Sequence, residues 1–107
     1  MATQRIVHDD ATPDPVTPNI CDSFSAELGA EVTFQGVSGN QTITQVGNSW
    51  PFNLSSPMAV PNASTIYIKS TGLNVGTTYP YSVSQTCPQG IQKGVTIVDP
   101  PMQRRRK

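Results

Sequence analysis

Ten prolines punctuate this chain of 107 residues, running from Pro13 to the Pro100–Pro101 pair. A proline inside a helix removes one hydrogen bond and clashes with the preceding turn, at a cost of ~3 kcal/mol or more. Strong helix formers are also scarce: three Leu (Leu28, Leu54, Leu73) and two Glu stand against twelve Thr, ten Ser, ten Val and seven Ile. Thr, Val and Ile are stiff at χ1 and pack well on a pleated surface. The chain therefore reads as short strands joined by turns. Its length suits one domain with one core.

Alternation of apolar and polar residues places the strands. A first short strand is expected at residues 4–8. Residues 9–19, with three Pro and three Asp, read as extended linker. AEVTFQG (30–36) carries Val32 and Phe34 on one face, and Ser38-Gly39-Asn40 signals a turn. QTITQV (41–46), STIYIKS (64–70), TTYPYSVSQT (77–86) and KGVTIV (93–98) follow. Trp50-Pro51-Phe52 opens an irregular stretch through about Asn62. Pro80, inside a strand pattern, predicts an edge or a bulge because it offers no N–H. The expected organisation is an extended arm (1–19), a β-sandwich domain (20–101) and a basic tail (102–107). Seven or eight strands at this spacing predict an all-β, antiparallel, two-sheet Greek-key sandwich.

Cys21 and Cys87 lie 66 positions apart. Two cysteines at that spacing make no zinc site. They read as a disulfide from an early strand to a late one, with two buried thiols as the alternative. The first twenty residues lack a basic segment followed by an apolar one, so no signal peptide is visible. Low charge (13 % against the usual ~25 %), abundant Thr and Ser and the cysteine pair favour an exported, extracellular or periplasmic protein. Asn40, Asn53 and Asn62 stand in N-x-[ST] sequons, which tilts the same way.

The formal charge is zero, yet four of the seven basic residues are Arg104, Arg105, Arg106 and Lys107. Without them the body is acidic and lacks the positive face that nucleic acid requires. No apolar run approaches the ~18 residues of a membrane helix. Catalysis is not expected. The single histidine, His8, lies in the arm, and Asp9, Asp10 and Asp14 cluster in the linker. Glu27 and Glu31 read as solvated rather than as an acid–base pair. Trp50 and Phe52 form a candidate partner-binding anchor, against the alternative that they cap one end of the core.

Residues Gly29 to Val98 resemble the cupredoxins, the copper-protein β-sandwich family. Gly29-Ala30-Glu31-Val32-Thr33-Phe34 resembles their G-x-x-V-T-F strand. Gly39-Asn40-Gln41-Thr42-Ile43-Thr44-Gln45 resembles the segment G-N-H-T-[VI]-T-Q, which supplies the first copper-ligating histidine. Tyr79-x-Tyr81-x-Val83 and Gly94-Val95-Thr96-Ile97-Val98 resemble the strands flanking the C-x-x-H-x-x-x-x-M loop. The resemblance puts Gln41 at the first histidine, Val83 at the cysteine, Thr86 at the second histidine and Ile91 at the methionine. A register one residue later offers Ser84, Cys87 and Gln92. In either register the copper set is missing, and Val, Thr, Ile and Gln cannot replace a thiolate and two imidazoles. The resemblance thus implies a degenerate, metal-free site with no cofactor.

A second resemblance is to fibronectin type III and immunoglobulin-like domains. Leu73-Asn74-Val75-Gly76-Thr77-Thr78-Tyr79 is similar to their L-x-P-G-T-x-Y approach to the tyrosine corner, with Val75 in place of Pro. The expected function is a non-catalytic binding or structural module for a protein or glycan partner. One alternative is a copper protein with a non-standard site drawn from His8, Met58, Met102 and reduced cysteines. The other is a subunit of a surface or capsid-type assembly.

Overall fold

The computed structural model describes residues 12–99. The expected strand at 4–8, His8, Asp9, Asp10, Met102 and the tail 102–107 lie outside the described residues. The fold is all-β, with seven strands in two sheets and no helix among the described residues. The strands are β1 (Phe24–Ala26), β2 (Glu31–Val32), β3 (Gln41–Gln45), β4 (Met58–Val60), β5 (Ile66–Tyr67), β6 (Thr78–Val83) and β7 (Gln92–Ile97).

One sheet has the order β1-β7-β6-β3-β4 and the other pairs β2 with β5. The smaller sheet is widened by single bridges. Val16 and Asn19 run parallel to Val32 and Gln35, and Phe52 lies antiparallel to Ile68. Backbone bonds from Val16 to Glu31, Thr33 to Val16, Gln35 to Pro18 and Ile20 to Gln35 knit that parallel seam. The last residues of the expected arm are therefore part of the sheet.

The expectation of purely antiparallel sheets needs correction. β1 pairs with β7 in parallel, Phe24 opposite Val95 and Ala26 opposite Ile97. Face alternation is identical in parallel and antiparallel partners, so the residue pattern could not separate them. The chain lies along the small sheet at 16–20, crosses, and joins the edge of the large sheet as β1.

Pro80 also corrects its expectation, because β6 is interior to the large sheet. Val83 N donates to Ile91 O on the β7 side, and Ser84 N to Thr42 O on the β3 side. Alternation turns position 80 toward β3, but that pairing stops at Gln45 opposite Tyr81. The missing N–H of Pro80 thus falls one step past the last paired residue of β3, where no ladder bond is lost. Its partner across β7 is Gly94. A Cβ there would stand 2.9 Å from Thr78 Cγ2, so any larger residue would force the Thr78 side chain to shift.

Between the sheets, Phe24, Phe34, Phe52 and Tyr81 pack with Trp50 in tilted and edge-on contacts, centroids 5.1–6.4 Å apart. Ile20, Ile43, Ile68, Val95 and Ile97 fill the gaps around them and are essentially inaccessible. Each such aliphatic or aromatic side chain contributes about 1.5–3 kcal/mol on burial. β4, which supplies Met58 and Val60 to this core, lies in the stretch the sequence reads as irregular. It is three residues long and flanked by Pro57 and Pro61.

Candidate functional site

One end of the sandwich gathers the start of β3, the end of β6, the β6–β7 loop and the turn before β1. Cys21 and Cys87 meet there in a disulfide, with Cα atoms 5.5 Å apart, within the ordinary range for a bridge. The turn before β3 brings Gln41 to the same end. Gln41 Nε2 donates to Ser38 O at 2.6 Å, and its Oε1 accepts from Ser84 Oγ at 2.6 Å. The Ser84 hydroxyl also accepts from Thr42 N at 2.9 Å. Beside it, Gln85 Oε1 accepts from Ser38 N at 2.9 Å, and Gln85 Nε2 donates to Gly36 O at 3.0 Å. Gly36 has a φ of +69°, and a Cβ there would meet Asn19 Nδ2 at 2.4 Å. The chain turns tightly enough under Gln85 for its carbonyl to be reached.

Val83 faces Ile43 and is 2 % exposed, inside the core. Thr86 and Ile91 are exposed. Gln41 is half-buried at the start of β3, and Val83 N donates to Ile91 O. Ser84 touches Gln41, Cys87 is tied to Cys21, and Gln92 lines a neighbouring cavity. An amide, a hydroxyl and an oxidised sulfur occupy that end, and none is the thiolate or imidazole that copper needs. Met58 is 1 % exposed, with its side chain in the core. Among the described residues, no three His, Cys, Asp or Glu side chains gather as a metal site.

Trp50 and Phe52 require a correction as a partner anchor. Phe52 is fully buried and Trp50 8 % exposed, their rings 5.1 Å apart, and the indole N–H donates to Leu54 O. They close the core because β5 draws their segment inward: Asn53 N donates to Tyr67 O, and Lys69 N to Pro51 O. Glu27 is buried and Glu31 is exposed opposite Tyr67. Of the sequon residues, Asn53 and Asn62 accept backbone bonds from Tyr67 and Ser64, while Asn40 lies exposed in its turn.

A second feature of this end escaped sequence reasoning. An open cavity of about 390 Å³ is lined by Cys21, Asp22, Ser23, Gln89, Gln92 and Lys93. Lys93 is 6 % exposed, and its ammonium donates to Gly90 O. The signal was present in the pattern: in KGVTIV, Lys93 shares the inward face of Val95 and Ile97. Below it, Tyr81 reaches toward Asp22 O at 3.5 Å. Burial pushes the Tyr81 phenol well above the ordinary tyrosine range, and the Asp22 charge adds to the shift. A smaller cavity of about 220 Å³ opens elsewhere, between β2 and the 60–66 connection.

No protein-family model, no curated protein and no solved structure matches the chain. Among the described residues, no helix is long and apolar enough to cross a membrane.

Proposed function

We propose that this chain is a cupredoxin-like sandwich without copper that acts as a non-catalytic binding or structural module outside the cytoplasm. The observation that carries the reading is the Ser84–Gln41 hydrogen bond beside the Cys21–Cys87 bridge. It stands where the resemblance places the first histidine and the cysteine of a copper site. Direct contact between those two positions supports the cupredoxin alignment in its later register, and their chemistry supports the loss of the metal. The parallel seams of 16–20 with 31–35, and of β1 with β7, favour it over the antiparallel sheets of immunoglobulin-type domains. The disulfide supports an extracellular or periplasmic setting, since such bonds persist in oxidising compartments.

One observation favours the immunoglobulin-like reading. Asn74 N donates to Tyr79 Oη at 2.7 Å, a bond of the tyrosine-corner kind back to the chain a few residues upstream. It locks the approach to β6 in either family.

The test is titration of the purified protein with Cu(I) and Cu(II), disulfide intact and then reduced, with metal content and visible spectrum recorded. The expected result is no stoichiometric site in the intact protein and no intense thiolate-to-copper band in either state. A stoichiometric site with that band would overturn the proposal.

A further inference from the structure

We infer that the cavity beside the Cys21–Cys87 bridge binds a sugar acid, its carboxylate on the Lys93 ammonium and its hydroxyls on Asp22, Ser23, Gln89 and Gln92. This deepens the binding-module reading above and rests on it. The argument starts from Lys93. Its position is on the core face of β7, beside Val95 and Ile97 and opposite Tyr81. An apolar side chain would fill that place without desolvating a charge, whereas a buried ammonium costs free energy unless it is paired. Lys93 instead lines the cavity, and its ammonium donates to Gly90 O in the β6–β7 loop. An ammonium has three donors, and one carbonyl leaves two for a ligand.

The remaining lining narrows the class of ligand. Asp22 is the one carboxylate in the wall, so the wall is neutral as a whole. A dianionic phosphate would face a single ammonium with a carboxylate nearby. The described chain is itself acidic, with five carboxylates against Lys69 and Lys93, and so repels polyanions. A monoanion that also donates hydrogen bonds fits better: its carboxylate meets Lys93 and a hydroxyl meets Asp22. Gln89 and Gln92 offer amides that both donate and accept. Ser23 Oγ already accepts from Gly94 N at 3.2 Å, which leaves its hydroxyl hydrogen to give. Five of the six lining residues are polar or charged, and Cys21 adds the disulfide as a small apolar surface, so the wall offers several partners to the edges of a sugar ring. The bridge holds the two halves of the wall, 21–23 and 89–93, against each other.

The experiment is NMR titration of the isotope-labelled full chain, disulfide intact, with di- and trigalacturonate. Parallel titrations use the neutral galactose oligomers, glycine and inorganic phosphate. Saturable amide shifts confined to residues 21–23 and 89–93 are expected with the uronates. The neutral sugars should bind about tenfold more weakly, the loss of one charge-assisted hydrogen bond. Lys93→Met should remove uronate binding. Gln89→Ala, in an exposed loop, should weaken it without altering the fold, and carries the test if Lys93→Met does not fold. Absence of saturable shifts, equal affinity for neutral sugar, tighter binding of glycine or phosphate, or unchanged binding in Gln89→Ala would each overturn the inference. Copper added to the same samples separates the two proposals: a stoichiometric copper site defeats the metal-free reading, whereas silence to both uronate and copper defeats only the sugar-acid site.

Discussion

Ser84 and Gln41 hold two neighbouring strands together across 2.6 Å, hydroxyl to amide oxygen, at the mouth of the sandwich. Because the same hydroxyl accepts from Thr42 N, Ser84→Ala removes two bonds at once. Water reaches this exposed end and replaces part of what is lost, so the expected cost is about 1 kcal/mol. Gln41→Ala should cost a similar amount. Urea unfolding of both single variants and the double should show a coupling of about 0.5–1 kcal/mol. Strict additivity would mean that the pair contributes no more than two separate contacts with solvent.

The bridge between Cys21 and Cys87 closes a loop of 66 positions. On chain-entropy grounds, replacing both cysteines with serine should lower stability by about 4 kcal/mol. Calorimetry of the double variant beside the parent reads this as a fall in Tm. A change below about 1 kcal/mol would show that the reduced chain already holds these segments together.

Trp50 is the single tryptophan and is nearly inaccessible, so its fluorescence reports the core. Native emission should be blue-shifted and poorly quenched by acrylamide, moving red as the chain unfolds. Trp50→Ala should cost about 3–5 kcal/mol, a large share of the roughly 5–15 kcal/mol typical of whole domains. Native emission at the solvent-exposed position would contradict this packing.

Tyr81 makes stability fall in alkali. Its phenol, raised by burial and then by Asp22, stays protonated in the native state above about pH 10, where the unfolded chain releases that proton. The native state then binds more protons than the unfolded one, so the unfolding free energy declines as pH climbs through that window. Below it the neutral phenol is common to both states and the dependence vanishes. Unfolding of the parent and of Tyr81→Phe from pH 8 to 11 should show the decline flattened in the variant. Equal slopes would assign the alkaline sensitivity to other groups.

Much of the strand pattern was legible because its cause is local. Val32 with Phe34, Ile66 with Ile68, and Tyr79, Tyr81 with Val83 recur at every second position, and each set turns inward. β4 was hidden because three residues between two prolines carry no periodicity of their own. The contacts of the site were not legible. Gln41 bonds Ser84 across 43 positions, and the Gln85 clamp on Gly36 and Ser38 joins residues 47 or more positions apart. No local pattern encodes such a contact.

From the residues alone follow the all-β class, the places of most strands, and the want of a copper ligand set in the segments that resemble one. Proline geometry, χ1 stiffness and ligand chemistry act on each residue wherever it sits. Tertiary structure decided the rest: which partners run parallel, that Pro80 can sit within an interior strand, that Trp50 and Phe52 face inward, and that Lys93 meets Asp22 and the disulfide around one cavity. Those outcomes depend on what covers each side chain and where each neighbour ends, and both are set by contacts between distant segments.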